Sequence, residues 1–402
     1  MEIAFFTDSY EPMRDGVSSV TAGLARTLVR LGHSVRVCAP DIRVGVASRE
    51  TVEDGVRVRR VRSIPVPLYS QYRWPVFPFG LFGGVHRADD VDVIHLHSPG
   101  PIGSMGFLTA RRLRRPLVGT FHTNIREMRS SVPQKFLVPL FFRIAWWYNL
   151  GTYWRCDVAT APSESARDAL VQFARKPFRR PVEVVRNGVD IHRFRPGVIV
   201  PDWRARCGLP SVPLVTYLGR LTVDKGVHRF LDAIALAART TDVAGIVGGT
   251  GPEEAAVRAR IASDPALSGR VRYVGPVVES EKAALLGQTD VFVLPSTSDT
   301  SSIALLEAMA CGTAVVAPAT GGASEVVNDT VTGVRADVLS SPALAGALVR
   351  LLDRSSERQQ VARQAEAWVR DNASLESVAQ RFISLYRMLA EERVDRGNRI
   401  AS

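Results

Sequence analysis

The sequence predicts an α/β protein made of two tandem, doubly wound Rossmann-like domains with an interdomain cleft. Three observations carry that prediction. Short β-branched runs alternate with amphipathic helical segments, the pattern of a parallel sheet covered by helices on both faces. The alternation stops in a stretch rich in Pro, Gly and Arg after Asn187-Gly188-Val189-Asp190 and restarts near Pro213. A chain of 402 residues, 46% of them hydrophobic, is long enough for two such cores.

The elements follow in order. Ile3-Ala4-Phe5-Phe6 is a first apolar strand, and a loop with Pro12 and Gly16 comes next. Val20, Leu24, Leu28 and Leu31 then recur at helical spacing, and Gly32 is a helix stop. Ser34 to Ala39 reads as a second strand. The runs VDVIHLH, RPLVGTFH, CDVATAPS and VEVVRNGVD are further strands, separated by helical PIGSMGFLTARRLRR and SESARDALVQFAR. After the break come PLVTYLGR, a loop LTVDKG and the helix VHRFLDAIALAAR. Strand–helix pairs continue through VAGIVGGTG, RVRYVGPV, VFVLPS, AVVAP and GVRA. The expected limits are 1–190 for the first domain and 191–373 for the second. A helix over 374–393 is expected to pack back toward the first domain, with 394–402 a disordered tail.

Charge is unevenly placed. Residues 1–190 hold 27 Lys/Arg against 17 Asp/Glu, and the remainder holds 24 against 23. A one-sided basic half means either an anionic partner or an Arg-rich composition in general. Nucleic acid is not expected as a partner, because the basic clusters RVRRVR and RRLRR fall within strand and helix patterns and no nucleic-acid-binding signature occurs. Cys38, Cys156, Cys207 and Cys311 have no zinc-type spacing and fit a reducing compartment. The opening MEIAFFTDSYEP has no basic leader, so a cytoplasmic protein is expected. Segment 134–155 carries bulky aromatics between basic residues. Pro139, Arg143 and Asn149 make it a poor membrane span; it is either an interfacial surface for anionic lipid or a core-packing helix pair.

Chemistry-bearing residues gather where strands give way to loops, the ligand edge of such sheets. Gly219 to Gly226 puts Arg220, Lys225 and free helix amides at one strand end, either a place for phosphate or a loop whose cations are merely solvated. Gly248-Gly249-Thr250-Gly251 is a second glycine-rich turn, open either to a flat ligand such as a nucleobase or to a tight backbone turn. Asp299 precedes Glu307 by eight residues; Asp299 either helps hold a sugar or is a loop or capping residue, and Glu307 either accepts from both hydroxyls of a ribose or is an exposed helix charge. His95 and His97 share one face of a strand and are either a metal pair, for which no third ligand is near in sequence, or core or cleft-lining residues, whereas His122 stands at the end of a strand as a cleft candidate. Asp90-Val91-Asp92 has a metal–nucleotide form but lies at the wrong strand end, and no metal site is expected.

The ordered set resembles glycosyltransferase family 4, retaining nucleotide-sugar transferases of the GT-B fold, over about residues 1–390. FFTDSYEPMRDGVSSVTAGLARTLVRLGHSVRVCAP resembles the N-terminal unit, with Gly16 in the loop near the donor phosphates. GTFHT carries the family's active-site histidine at His122, and GRLTVDKG its diphosphate loop with Arg220 and Lys225. VGGTGPEE supplies Gly249 and Gly251 near the base. DTSSIALLEAMACG and the following Gly321-Gly322-Ala323-Ser324-Glu325 match the family's paired-acid region. The resemblance implies that Asp299 faces the donor sugar, that Ser301, Ser302 and Ile303 belong to the donor-binding site and that Glu307 holds the ribose. Two departures stand out: Asp where the family has Glu, and Thr300-Ser301-Ser302 where it has glycine-phenylalanine-glycine.

The implied activity is metal-independent transfer of a hexose, glucose or mannose, from a UDP- or GDP-linked donor, with no further cofactor. The implied catalytic set is His122, Arg220, Lys225 and Asp299. The expected acceptor is a membrane glycolipid such as diacylglycerol or phosphatidylinositol, with peripheral attachment through the basic, aromatic half. A soluble or natural-product acceptor, and a sugar-nucleotide epimerase of the same fold, are the alternatives.

Overall fold

The computed structural model describes the chain except for residues 14, 44–48, 67–68, 76–90, 123–137, 173, 175, 199–202 and 402. Asp90 and residues 134–137 therefore lie outside the described residues. The chain divides into two units. One collects residues up to Gly188 and the segment from Leu375 onward; the other is Val189–Ser374.

The first unit is an eight-stranded sheet. Its spatial order is Glu183–Val184, Val158–Ala161, Leu117–Thr120, Val93–Leu96, Glu2–Phe6, Ser34–Pro40, Val56–Val61 and Arg49–Glu53. All pairs are parallel except the last, an antiparallel edge turned at Asp54-Gly55. Both turn residues have positive φ, which an Asp-Gly pair tolerates well. The chain winds outward from Glu2–Phe6 in one direction, then returns to Val93–Leu96 and winds in the other. The reversal leaves a crevice beyond the carboxyl ends of those two strands.

The helix Gly16–Arg30 packs on this sheet through Ala22, Leu24, Ala25 and Leu28. Its N-cap is Asp15, whose carboxylate accepts from the Ser18 amide, so Gly16 is the first helical residue and not a loop residue. The C-terminal helix joins the same core: Val378, Phe382, Ile383, Tyr386 and Leu389 are all buried in it. This helix continues to Ala401 instead of ending near Arg393. Ala390, Glu391, Glu392 and Arg393 are strong helix formers and no proline interrupts them, so the helix has no reason to stop there.

The second unit is a six-stranded parallel sheet in the order Val271–Gly275, Ala244–Gly248, Leu214–Leu218, Val291–Val293, Ala314–Pro318 and Val334–Ala336. Its strands read as continuous buried runs because helices cover both faces. Two apolar clusters flank the sheet, one around Leu305, Leu306 and Met309, the other around Phe230, Leu231 and Ile234. The winding reverses between Leu214–Leu218 and Val291–Val293. The unit begins at Val189, slightly earlier than expected, because the Val189 amide bonds the Ala373 carbonyl and Val189 bridges to Ser374. No helix among the described residues is long and apolar enough to cross a membrane.

Candidate active site

In the second unit the two loops that flank the reversal are tied together. Lys225, at the end of a 3₁₀ turn over Val223–Lys225, donates from Nζ to Asp299 Oδ1 at 2.8 Å. The Ser298 hydroxyl donates to Asp224 Oδ2 at 2.6 Å, and the Thr297 amide reaches the Asp224 carbonyl at 3.1 Å. The Arg229 guanidinium clamps the Pro295 and Asp224 carbonyls. Burial pushes the Asp224 carboxyl up, but the Ser298 hydroxyl and the nearby Lys225 and Arg220 cations hold it below the usual range. Lys225 and Asp299 are about equally buried, with side chains 15% and 16% exposed, so their ion pair is poorly screened. The second Asp299 oxygen, Oδ2, is buried with no hydrogen-bond partner.

Arg220 lies in the same loop, and its carbonyl accepts from the Tyr217 hydroxyl at 2.7 Å. The glycine-rich turn braces this loop from the other side. The Leu221 amide bonds the Thr250 carbonyl at 2.9 Å. A Cβ on Gly249 would fall 1.8 Å from the Gly219 oxygen, and one on Gly251 2.3 Å from the Leu221 oxygen. Both glycines are therefore required by close approach of the chain's own backbone.

Ser302 caps the helix Ile303–Ala310, its hydroxyl accepting from the Leu305 amide, while Ser301 and Asp299 stand in the loop before it. Glu307, in that helix, is not a solvated charge. It is 3% exposed, and Lys282 Nζ lies 2.5 Å from its carboxylate. Burial pushes the Glu307 carboxyl up, and the Lys282 ammonium opposes that push. Lys282 also sits over the Phe194 ring at 5.7 Å. A ribose diol would have to share Glu307 with this ammonium, which a carboxylate with four acceptor positions permits.

The first unit brings a different set to its own crevice. Asp8 is buried beyond Glu2–Phe6; it accepts from the Ser98 hydroxyl at 2.6 Å and the Ile102 amide at 2.9 Å, so it caps the helix Pro101–Leu113 from another strand. Burial raises its pKa. His97 Nδ1 and His122 Nε2 are 3.1 Å apart. His95 is engaged at both nitrogens, by the Tyr386 hydroxyl and Thr120 Oγ1, each at 2.6 Å. Burial lowers all three imidazole pKa values, that of His122 to about 4. Among the described residues no group of His, Cys, Asp and Glu is placed to hold a metal ion.

Two family profiles match the chain in succession: Glycosyltransferase Family 4 over residues 14–193 and Glycosyl transferases group 1 over 212–354. A GDP-mannose-dependent alpha-mannosyltransferase of Mycolicibacterium smegmatis is 31% identical over 84% of this chain and 85% of that relative. The chain belongs to glycosyltransferase family 4. An alpha-monoglucosyldiacylglycerol synthase of Streptococcus pneumoniae is 25% identical over 88% of this chain and 78% of its own. Solved structures agree on the fold. Sucrose-phosphate synthase from Thermosynechococcus elongatus superposes with a TM-score of 0.73 at 21% identity, covering 97% of this chain and 99% of that one. The Anabaena protein HepE, solved with UDP and glucose, gives 0.73 at 20% identity over 97% and 100%.

In this family 4 glycosyltransferase of GT-B fold, the structure brings Arg220, Lys225, Asp299, Ser301 and Ser302 to one strand edge of the second unit. It sets Gly249 and Gly251 behind them as backbone spacers and Glu307 beside them in a buried pair. His122 belongs to the first unit, as does Gly16. Sequence reasoning missed Lys282, Asp8 and the partnership of His97 with His122. Lys282 carries no local signal, since it occupies an ordinary charged helix, ESEKAALLG. His97 was visible as one of two histidines on a strand, but its partner lies on another strand.

Proposed function

We propose that this glycosyltransferase moves a mannosyl group from GDP-mannose, with retention at the anomeric carbon, to a hydroxyl of a membrane lipid. The observation that carries the reading is the Lys225–Asp299 pair at the strand reversal of the second unit. There Arg220, Lys225 and the loop amides can meet the charge that grows on a leaving diphosphate. Asp299 Oδ2, buried and unpartnered, is the acceptor we assign to a donor-sugar hydroxyl. Glu307 would take the ribose and His122 would orient the sugar. As the bond from the anomeric carbon to the phosphate oxygen breaks, the acceptor oxygen bonds to the same face of the sugar, and its proton passes to the departing phosphate.

Mannose and GDP are chosen because several relatives at 25–31% identity are GDP-mannose-dependent alpha-mannosyltransferases. The lipid acceptor is supported by the surface of the first unit. Leu108 and Tyr148 are exposed there beside Arg111, Arg112, Arg114 and Arg155, and two of these guanidinium groups lie over Phe107. Exposed apolar side chains among cations fit an anionic lipid surface. A second reading, a soluble phosphorylated polyol acceptor, is favoured by relatives named D-inositol 3-phosphate glycosyltransferase.

The test is nucleoside-diphosphate release from GDP-mannose, UDP-glucose, UDP-galactose and UDP-N-acetylglucosamine, each with anionic vesicles, with inositol phosphate, or with neither. GDP release that rises sharply with vesicles, and is unchanged by EDTA, supports the reading. Stimulation by inositol phosphate alone replaces the lipid acceptor, and a preference for a UDP sugar replaces the donor.

A further inference from the structure

Three histidines form a column at the carboxyl end of the first sheet. The His95 and His97 rings lie 4.0 Å apart between centroids, and His97 and His122 meet edge to edge, 5.4 Å between centroids with planes 18° apart. His95 is fully committed at both nitrogens. His97 is buried, and one of its nitrogens is bonded only to His122 while the other, Nε2, is buried with no partner.

That asymmetry decides where the protons go. A neutral imidazole carries one proton, on Nδ1 or Nε2. On His97 Nε2 it would be a buried N–H without an acceptor. On His97 Nδ1 it is used, donated to His122 Nε2, and the orphan is only a lone pair. Buried N–H groups without acceptors are rarer than unfilled acceptors. A His122 Nε2 that accepts must be bare, so neutral His122 carries its own proton on Nδ1. Burial lowers the pKa of both rings, which keeps them neutral and leaves this single assignment.

We propose that His97 is a positioning residue for His122: its Nδ1–H fixes the His122 ring in one orientation and in the Nδ1-protonated neutral tautomer. The proposal rests on the reading that His122 faces the donor sugar. His95, locked between Thr120 and Tyr386, forms the fixed wall against which His97 packs, its ring tilted by 36°.

The experiment has two arms on the full chain. In the first, nitrogen-15 NMR of histidine-labelled protein reads the tautomer of His122, assigned by loss of its signals in H122N. A protonated Nδ1 and a bare Nε2 are expected; a protonated Nε2 overturns the proposal whatever the activity. In the second, H97N, H97Q and H97F are compared by donor turnover. The Asn amide nitrogen stands where Nδ1 stood, the Gln amide reaches the Nε2 position, and Phe only fills the volume. H97N is expected within about threefold of the parent kcat. H97Q and H97F should lose about tenfold or more in kcat with KM little changed, and H97F should melt no lower than H97N. Equal activity of H97F and H97N, both folded, would mean that His97 only packs. Near-normal turnover of H122A would instead remove the role given to His122, while the NMR arm would still test the His97 contact.

Discussion

Replacing Lys225 by alanine removes the cation held 2.8 Å from Asp299. At that distance, with an effective dielectric constant of about 20, the pair attracts by about 6 kcal/mol before desolvation is charged against it. Desolvation offsets much of this, and deleting one partner of a buried pair typically costs about 3–5 kcal/mol. Each side chain retains about a sixth of its exposure, so the lower end applies. About 3 kcal/mol corresponds to a fall of about 6–12 °C in Tm for a unit of this size, and the fold should persist. The effect on turnover has another origin. Losing one fixed donor to a charge that develops in the transition state costs about 10²- to 10³-fold in kcat. The assay is nucleoside-diphosphate release under saturating donor, with circular dichroism melting on the same preparations. D299N is the control: it keeps the shape, releases Lys225 from its partner, and should retain more turnover than K225A. A K225A protein that melts as a folded unit and turns over within threefold of the parent would refute the assignment of this loop to the leaving phosphate.

Three further outcomes are expected. G249A should destabilise the second unit by several kcal/mol, because φ is +136° there and the new Cβ would strike the Gly219 oxygen; urea melts read this, and an unchanged midpoint would contradict the bracing of the 219–222 loop. D299E lengthens the acid by one methylene and should change the ratio of kcat/KM between GDP-mannose and UDP-glucose about tenfold; an unchanged ratio would separate Asp299 from the sugar. Acid should destabilise the first unit through its histidines. Their folded pKa values are depressed, so the unfolded chain binds more protons, and stability falls as pH drops from about 6.5 toward the value of about 4 at His122. Each such histidine contributes a slope of about 1.4 kcal/mol per pH unit in that window; H95F and H97F variants should show shallower acid limbs, and parallel limbs would sink the argument.

Much of the fold could be read from the chain because a buried parallel strand announces itself locally. VFVLPS, AVVAP and VATAP are continuous apolar runs, and the Pro/Gly/Arg stretch after Asn187 interrupts the alternation. The edge strand Arg49–Glu53 was harder to see: three of the five residues of RETVE are charged, and only the Asp54-Gly55 pair hints at a turn. The loops at the ligand edge were legible because Arg220, Lys225 and Asp299 are residue types with few other reasons to stand where strands end. What they do to one another was not. Lys225 meets Asp299 across 74 positions of sequence, and Lys282 meets Glu307 from a neighbouring helix. Gly249 and Gly251 pointed to a close approach without saying to what, and the answer is the neighbouring backbone.

The helix that begins at Leu375 also bears on the order of synthesis. Most residues of the first unit precede the second in the chain, yet Phe382, Tyr386 and Leu389, which belong to the first unit's core, follow it. Val189–Ser374, which carries every strand of the second unit's sheet, is synthesised before that helix. The core of the first unit therefore cannot be completed before the second unit has been made. Until that helix is made, His95 lacks the Tyr386 hydroxyl that bonds its Nδ1 and the Phe382 ring that packs against it. A truncation at the Gly188–Val189 crossing therefore yields not a free-standing first domain but one missing a wall, whereas a circular permutant that starts at Leu375 would restore it.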